Sequence, residues 1–582
     1  MQSPRPKLAG LSSQSHLSAS ANYSNYGTLG DDNCLESFPR DDRILMNGIL
    51  DFDNCDSSPE EVAGFEIWPL LLVTALLIGV MGYVIAVTDP LLFDLKDGYC
   101  HKNILLNRQR CCADSSECQS WLQWSDVFRI SGSRGHTLLN WGLWALLGTM
   151  LAITSAIVTL SRRYENTGIE TKPAILYPVA GSGVAELKVR SQGLRLRGYF
   201  DFSTIICKII GIILSASSGL CLGKEGPYVH IAAGIGAVVG ELFNTSRSQR
   251  ELLYKAGAAA GLSVAFGAPI SGTIFVIEEL SPFGFTPRQL IPTLFCCVTA
   301  TTFLKYLNPY GTKTIVMFHV HSMIEWKTFE IPVYTGIGLG GGVLGGLFVK
   351  AARSRLLIIR KVSILARNPV FETALLAVLT GMLTFSNRYT KLSVAETLAK
   401  LTTPCQQFHT NQLLHDNCPS LDEIPSHMRS LIIAFLIKAL LTVLTFGLKV
   451  PAGIYVPTMV LGALFGKTIG HAFQVFVDTF SSRGFPILAA ECAAAAGSLD
   501  SSCISPGTYA LIGAGSVMCG VTRLPFTLIM VLVEITGRLD YLSPFVLVVF
   551  LSNWSAQLVE KDSIYDVVAS VNGYPLLEQK IR

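Results

Sequence analysis

The stretch Gly223-Lys224-Glu225-Gly226-Pro227 decides the fold, because it places two adjacent charges between glycines in otherwise apolar sequence. An apolar segment follows directly, and a proline at its start suits the first turn of a helix. Charged residues at membrane depth are rare, and non-helical backbone there is tolerated only inside protein or beside a water-filled cavity. The pattern therefore predicts a functional loop that leads into a membrane helix.

Two further loops have the same character, Gly181–Glu186 (GSGVAE) and Gly453–Pro457 (GIYVP). A helix N-terminus offers unpaired N–H donors and about half a positive charge, which can stabilise an anion without trapping it. Taken singly, each loop has an ordinary explanation: a turn, a surface charge near a helix start, or, for Tyr455, core packing. Together they indicate anion-binding loops. The loop-forming residues are Gly181, Gly183, Gly223, Lys224, Gly226, Pro227, Gly453 and Pro457.

The composition places these loops in a membrane protein. Of the 582 residues, 50% are hydrophobic and 15% are charged, whereas a soluble protein usually carries about a quarter charged residues. Trp68–Thr88 and Leu138–Leu160 are uncharged runs long enough to cross a hydrocarbon core about 30 Å thick. The net charge of +3 is too small to indicate nucleic-acid binding. No cysteine pairs have zinc spacing, so we expect neither a metal nor a cofactor.

The remaining apolar segments are short, uneven in length and interrupted by Gly and Pro in both halves of the chain. Pro227–Phe243 and Leu524–Thr536 are examples. Such interrupted segments are typical of transporters built from discontinuous helices. We therefore expect an all-α polytopic membrane protein with re-entrant or discontinuous helices.

Charge placement predicts the orientation of the chain. Basic residues cluster at Arg162–Arg163, Lys188–Arg197, Arg247–Lys255 and Lys350–Arg367. By the positive-inside tendency, these loops face the cytosol. Residues 1–66 are polar and Ser-rich, without the apolar core of a signal peptide, so we expect a cytosolic N-terminal tail.

The cysteines give an independent argument for the same topology. They fall in even numbers in three polar loops, 89–137, 388–428 and 485–505, which suggests disulfides facing an oxidising lumen or exterior. We therefore expect these loops to be luminal, with pairing in the first loop unassigned. The cysteines concerned are Cys100, Cys111, Cys112, Cys118, Cys405, Cys418, Cys492 and Cys503.

The three loops together resemble the signature motifs of the CLC chloride channel and transporter family. Gly223–Pro227 resembles the family's G-K/R-E-G-P motif, Gly181–Glu186 its GSGIPE loop, and Gly453–Pro457 its GxFxP loop. The first loop departs from the family pattern at Val184-Ala185, where Ile-Pro is usual. Tyr455 replaces the usual Phe, and both departures bear on anion selectivity.

The resemblance covers roughly residues 66–575 and implies a CLC-type fold with two inverted-topology halves, at about 67–285 and 286–575. It also implies a homodimer with one ion pathway per subunit in the lipid bilayer. Residues 576–582 would form a cytosolic C-terminal stub, without the paired CBS domains typical of eukaryotic members. Gly98-Tyr99-Cys100 and the Asn572–Pro575 ending are most similar to the intracellular branch, which implies a Golgi, endosomal or vacuolar membrane.

The same resemblance implies roles for individual residues. Ser182 and Tyr565 would donate hydroxyl hydrogen bonds to a central chloride, and the backbone N–H groups of Ile454 and Tyr455 would complete its shell. Glu225 would be the gate, because its carboxylate mimics an anion, competes with chloride and swings away once protonated.

Glu279 bears on whether the chain is an exchanger or a channel. Exchangers of the family resemble this sequence in carrying a second glutamate there as an internal proton relay, whereas channels typically have an apolar residue. A structural salt bridge at the helix end is the alternative for Glu279, and we interpret its neighbour Glu278 as mostly structural. The sequence thus predicts a secondary active antiporter that exchanges chloride for protons.

Three alternative functions are weighed against the exchanger. The first is a passive voltage-gated chloride channel of the same fold, which Glu279 disfavours. The second is a membrane enzyme, for which no G-x-S-x-G motif or P-loop is found. The third is an organic-anion transporter, which the absence of an arginine from the three loops disfavours. The sequence gives no indication of an accessory subunit.

Overall fold

The computed structural model describes most of the chain between residues 50 and 574. The described ranges are 50–52, 66–112, 118, 120–128, 133–165, 175–192, 194–196, 198–281, 287–309, 326–361, 368–403, 423–482 and 504–574.

The described residues are predominantly helical. Their α-helices are α1 Ile67–Asp94, α2 Arg108–Cys111, α3 Trp124–Val127, α4 Ser133–Leu160, α5 Val184–Ser191, α6 Phe202–Ser217, α7 Glu225–Leu242, α8 Arg247–Phe266, α9 Pro269–Glu279, α10 Pro287–Leu307, α11 Ile331–Lys361, α12 Pro369–Thr384, α13 Val394–Thr402, α14 Ile424–Thr445, α15 Tyr455–Ser482, α16 Pro506–Thr522, α17 Pro525–Thr536, α18 Leu542–Val559 and α19 Ile564–Asn572. Single 3-10 turns at Thr328–Glu330 and Leu539–Tyr541 precede α11 and α18. The strands are β1 Leu50–Phe52, β2 Gly98–Cys100, β3 Trp121–Gln123, β4 Tyr164–Glu165, β5 Ile175–Leu176 and β6 Leu194–Leu196.

Seven helical segments of the described residues are long and apolar enough to cross a membrane. The first two coincide with the spans predicted at Trp68–Thr88 and Leu138–Leu160, which are thereby confirmed. On α1, one face carries fully buried side chains such as Leu71 and Ile78, while Leu77 on another face is 46% exposed. An apolar side chain exposed on an apolar helix suits contact with lipid.

Several helices are too short to cross a bilayer. Helices α9 and α17 have 11 and 12 residues, which at 1.5 Å per residue gives about 18 Å, against a hydrocarbon core of about 30 Å. The discontinuous helices predicted from the sequence are therefore present.

Helices α9 and α17 cap each other. Each begins with a proline and ends near a glutamate, and each glutamate binds the N-terminus of the other helix. The Glu278 carboxylate accepts from Thr527 N–H at 2.8 Å, and the Glu534 carboxylate accepts from Ser271 N–H at 2.8 Å. A carboxylate satisfies unpaired N–H donors and the positive end of the helix dipole. The structural interpretation of Glu278 agrees with this geometry.

The first cysteine-bearing loop folds as a small disulfide-linked hairpin. Strands β2 and β3 pair antiparallel, and disulfides join Cys100 to Cys111 and Cys112 to Cys118. The prediction of disulfides in this loop is thus confirmed. The other two predicted cysteine pairs lie outside the described residues.

Within the predicted N-terminal tail, Leu50–Phe52 pairs antiparallel with Leu194–Leu196. The tail therefore contacts the segment that follows α5. The side of the membrane on which these termini lie, the division into halves at 286 and the homodimer stay predictions.

Candidate functional site

The three predicted loops come together through their backbones. Gly223 and Gly453 exchange a pair of hydrogen bonds, with N–H to carbonyl distances of 2.9 and 2.7 Å. Gly181 N–H donates to the carbonyl of Val450 at 2.9 Å, just before the third loop. Segments that lie up to 272 residues apart in the sequence, from 181 to 453, thus form one site.

Gly226 lies where the loops are closest. A Cβ atom built on it would lie 2.8 Å from the Cβ of Ser182 and 3.4 Å from the Cα of Gly453. Real Cβ atoms essentially never approach another carbon to 2.8 Å, so only glycine fits this position. Its neighbour across the site, Gly183, caps α5 with a φ of 83°, a left-handed conformation that favours glycine.

Helix N-termini converge on this point. Helices α5, α7 and α15 begin at Val184, Glu225 and Tyr455, within the three predicted loops. The first N–H groups of each helix have no acceptor within the helix and carry its partial positive charge. The departure at Val184-Ala185 does not prevent α5 from starting there, since both residues are helical and buried.

Three hydroxyl groups lie around the converging helix ends. The Ser182 Oγ accepts from Val184 N–H at 3.4 Å, which leaves its own hydrogen available to another acceptor. Tyr455 and Tyr565 are 1% and 2% exposed, with ring centroids 6.1 Å apart. The two phenolic oxygens have no hydrogen-bond partner among the described residues other than each other. Ile454, the fourth predicted chloride ligand, is buried beside Tyr455.

Glu225 is the first residue of α7 and is 3% exposed. Its carboxylate folds back against Gly223, where an added Cβ would collide with Oε2 and would lie 2.9 Å from Cδ of Pro457. Within the described structure, Oε2 has no hydrogen-bond partner. The predicted gate thus places a carboxylate oxygen between the second and third loops.

An ion pair fixes the residue next to Glu225. Lys224 Nζ lies 2.8 Å from Asp89 Oδ2, and both side chains are about 15% exposed. Asp89 Oδ1 also lies 3.2 Å from the hydroxyl of Ser217, at the end of α6. Asp89 therefore contacts Ser217 and Lys224, the two ends of the segment that leads into Glu225.

Glu279, the predicted relay, is the last residue of α9 and its side chain is 7% exposed. Its Oε1 lies 3.2 Å from Lys188 Nζ, which also donates to Asp566 at 2.9 Å. Through Lys188, Glu279 is linked to Asp566, which directly follows Tyr565 in the sequence.

Asp89, Lys188 and Asp566 were not singled out from the sequence. Lys188 was assigned only to a basic loop cluster, and the first predicted span ended one residue before Asp89. A signal was present at Asp89, since an acidic residue followed by proline at the end of an apolar span is unusual. Nothing local marked Asp566, whose contact with Lys188 spans 378 residues.

The site combines groups that can bind an anion with groups that can bind protons. Helix N-termini and hydroxyl groups can solvate a small anion with partial charges, while two buried carboxylates can each hold a proton. In the described part of the chain, no group of three or more His, Cys, Asp or Glu side chains could hold a metal ion.

Comparison with known proteins gives one consistent family. The family model described as voltage gated chloride channel matches residues 173–557. The H(+)/Cl(-) exchange transporter 5 of Cavia porcellus is 32% identical over 546 residues, covering 89% of this chain and 70% of the relative. The transporter of the same name from Homo sapiens is also 32% identical, covering 89% of this chain and 64% of the relative. The chain thus spans about two thirds of the length of these relatives.

Solved structures show the same fold. A eukaryotic CLC transporter is 20% identical with a TM-score of 0.60, covering 87% of this chain and 74% of the other. A slow cyanobacterial Cl-/H+ antiporter is 19% identical with a TM-score of 0.64, covering 87% of this chain and 97% of the other. The predicted CLC-type fold is therefore confirmed.

Proposed function

The chain belongs to the voltage-gated chloride channel family, and from this membership we propose that it exchanges chloride for protons across a membrane. Relatives at 32% identity are named H(+)/Cl(-) exchange transporters. The geometry of the site supports the same activity in this chain, through a pathway for the anion and a separate path for the proton.

Chloride binds, in this proposal, where the N-termini of α5, α7 and α15 converge. The hydroxyls of Ser182 and Tyr565 and the backbone N–H groups of Ile454 and Tyr455 supply its ligands. Moving an ion from water into a low-dielectric interior has an idealised cost on the order of 20 kcal/mol. Several partial charges offset that cost while leaving the ion able to depart, which a transporter requires.

Glu225 acts as the gate. Its carboxylate occupies the position between the second and third loops and repels chloride while it is ionised. Protonation removes the charge, and the neutral side chain leaves the pathway. One side chain thereby links the movement of an anion to that of a proton.

The burial of Glu279 is the observation on which the proposal mainly rests. A passive channel needs no second buried carboxylate, yet this one is 7% exposed at the end of α9 and is ion-paired with Lys188. Lys188 also binds Asp566, which directly follows Tyr565, and this connection supports a role in passing protons towards the gate by a route separate from the anion's.

The proposal extends to location and assembly. Disulfides in the first polar loop support an oxidising compartment on that side, in keeping with a Golgi, endosomal or vacuolar membrane and cytosolic termini. We also propose a homodimer whose interface is formed by exposed apolar side chains on four neighbouring helices, α9, α10, α17 and α18. Examples are Ile270, Ile291, Phe526 and Trp554, which are 46% to 64% exposed.

Liposome reconstitution tests the exchange activity. A chloride gradient is imposed without a proton gradient, a potassium ionophore clamps the voltage, and an internal dye reports pH. Uphill movement of protons, driven by chloride, is the expected result. Chloride flux with no proton movement would assign the chain to passive channels and remove the relay role from Glu279.

A further inference from the structure

Lys188 joins three helices at the relay. It extends from α5, whose N-terminus contributes to the anion site, towards Glu279 at the end of α9 and Asp566 in the first turn of α19. Its Nζ donates a hydrogen bond to Asp566 at 2.9 Å. The same Nζ lies 3.2 Å from Glu279 Oε1, as an ion pair.

The two acids compete unequally for this one cation. Asp566 is anchored by a capping box, in which its carboxylate accepts from Ser563 N–H at 3.3 Å and Ser563 Oγ accepts from Asp566 N–H at 3.2 Å. The carboxylate also accepts from the Ser563 hydroxyl at 2.7 Å. Its side chain is 36% exposed, whereas that of Glu279 is 7% exposed. The more buried acid, Glu279, therefore shares the charge of Lys188 with an acid that is more exposed and more firmly anchored.

Few other charges act on Glu279. Its neighbour Glu278 is directed to the N-terminus of α17, where it caps that helix. Lys188 is ion-paired with Glu279, Asp566 binds the same Lys188, and Glu278 directly precedes Glu279 in the sequence. Lys188 is thus the one cation of this set.

We propose that Lys188 is a positioning residue for the proton relay, whose charge is shared between Glu279 and Asp566 and so sets the proton affinity of Glu279. This inference rests on the proposed exchange function. An ammonium near a carboxylate favours its charged form, and a second carboxylate nearby opposes it. Lys188 and Asp566 therefore act on the relay with opposite signs.

The opposite signs give a direct test by variants. Lys188→Met removes the cation, so Glu279 holds its proton more tightly and the pH midpoint of proton transport shifts to alkaline pH. Asp566→Asn gives the whole charge of Lys188 to Glu279, so the midpoint shifts to acidic pH. Each shift is expected to be about one pH unit, a tenfold change in proton affinity.

Three further variants serve as controls. Lys188→Arg keeps the charge and should keep the midpoint close to that of the wild type. The double variant Lys188→Met with Asp566→Asn should lie between the single variants. In a Glu279→Gln background, neither change should alter the pH dependence of chloride flux.

The measurement is proton and chloride flux across a pH series in liposomes that contain the full chain. Midpoints that move apart in the two single variants support the inference, while midpoints that move in one direction, or not at all, overturn it. If Lys188→Met fails to fold, the sign of the Asp566→Asn shift and the arginine rescue still decide the question. A wild type without coupled proton transport would instead refute the proposed exchange itself, so the two failures are distinguishable.

Discussion

Replacing Asp89 with asparagine tests how the gate is held. Asp89 binds Lys224 at 2.8 Å, and Lys224 directly precedes Glu225. The substitution keeps the shape of the side chain but removes its charge. We expect the pH midpoint of chloride flux to move to more acidic values, because Asp89 then no longer offsets the positive charge of Lys224 beside Glu225.

The magnitude follows from the geometry. At 2.8 Å and an effective dielectric constant of about 20, the two charges attract by about 6 kcal/mol before desolvation is subtracted. Removing one partner of a buried pair costs about 3–5 kcal/mol, and we expect the lower value because both side chains retain about 15% exposure. A cation within about 4–6 Å of a carboxylate changes its proton affinity by about one to three pH units. We therefore expect an acidic shift of at least about one unit.

The assay is chloride efflux from liposomes across a pH series. Asp94→Asn is the matched control, because Asp94 lies on the same helix but accepts from the backbone N–H of Arg108 at 2.8 Å. Adding Lys224→Met to Asp89→Asn should restore the midpoint towards the wild type. An unchanged midpoint in Asp89→Asn, or an equal shift in Asp94→Asn, would refute the reasoning.

Three further predictions concern packing and stability. Gly226→Ala should reduce chloride flux at least about tenfold, because a methyl group has no room between the loops. Gly336→Ala is the control and should leave flux unchanged, since no atom lies within 4 Å of its added Cβ. Equal losses of flux in the two variants would contradict this. Glu278→Gln should lower thermal stability in detergent by about 1–2 kcal/mol through loss of the α17 cap while proton coupling persists, and lost coupling would count against a structural role. Cys100→Ser breaks the disulfide to Cys111 and should lower the free energy of unfolding by about 2–3 kcal/mol. The melting temperature of the variant should then respond less to reductant than that of the wild type. An unchanged response would show that this disulfide is not stabilising.

The sequence predicted those parts of the molecule that depend on local chemistry. Each of the three loops could be located from its glycines and the apolar segment that follows, and the three together indicated an anion-binding role. Their convergence followed from the resemblance, and the structure shows it as backbone hydrogen bonds between Gly223 and Gly453. The spans beginning near Trp68 and Leu138 were identifiable because an uncharged apolar run of that length is typical of a transmembrane helix.

Contacts between distant segments could not be predicted in the same way. Lys188 looked like a solvated member of a basic loop, because nothing in its local sequence shows that Glu279 and Asp566 lie beside it. The pairing of Asp89 with Lys224 joins residues 135 positions apart. Such ion pairs depend on how the helices pack, which neither hydrophobic periodicity nor motif spacing determines.

The most direct test of the central claim compares two adjacent glutamates. Glu279→Gln and Glu278→Gln are reconstituted separately, and chloride flux and chloride-driven proton flux are measured in the same vesicles. The account predicts that Glu279→Gln abolishes proton transport and spares chloride flux, while Glu278→Gln retains both. Proton transport that survives in Glu279→Gln, or that is lost equally in Glu278→Gln, would contradict it.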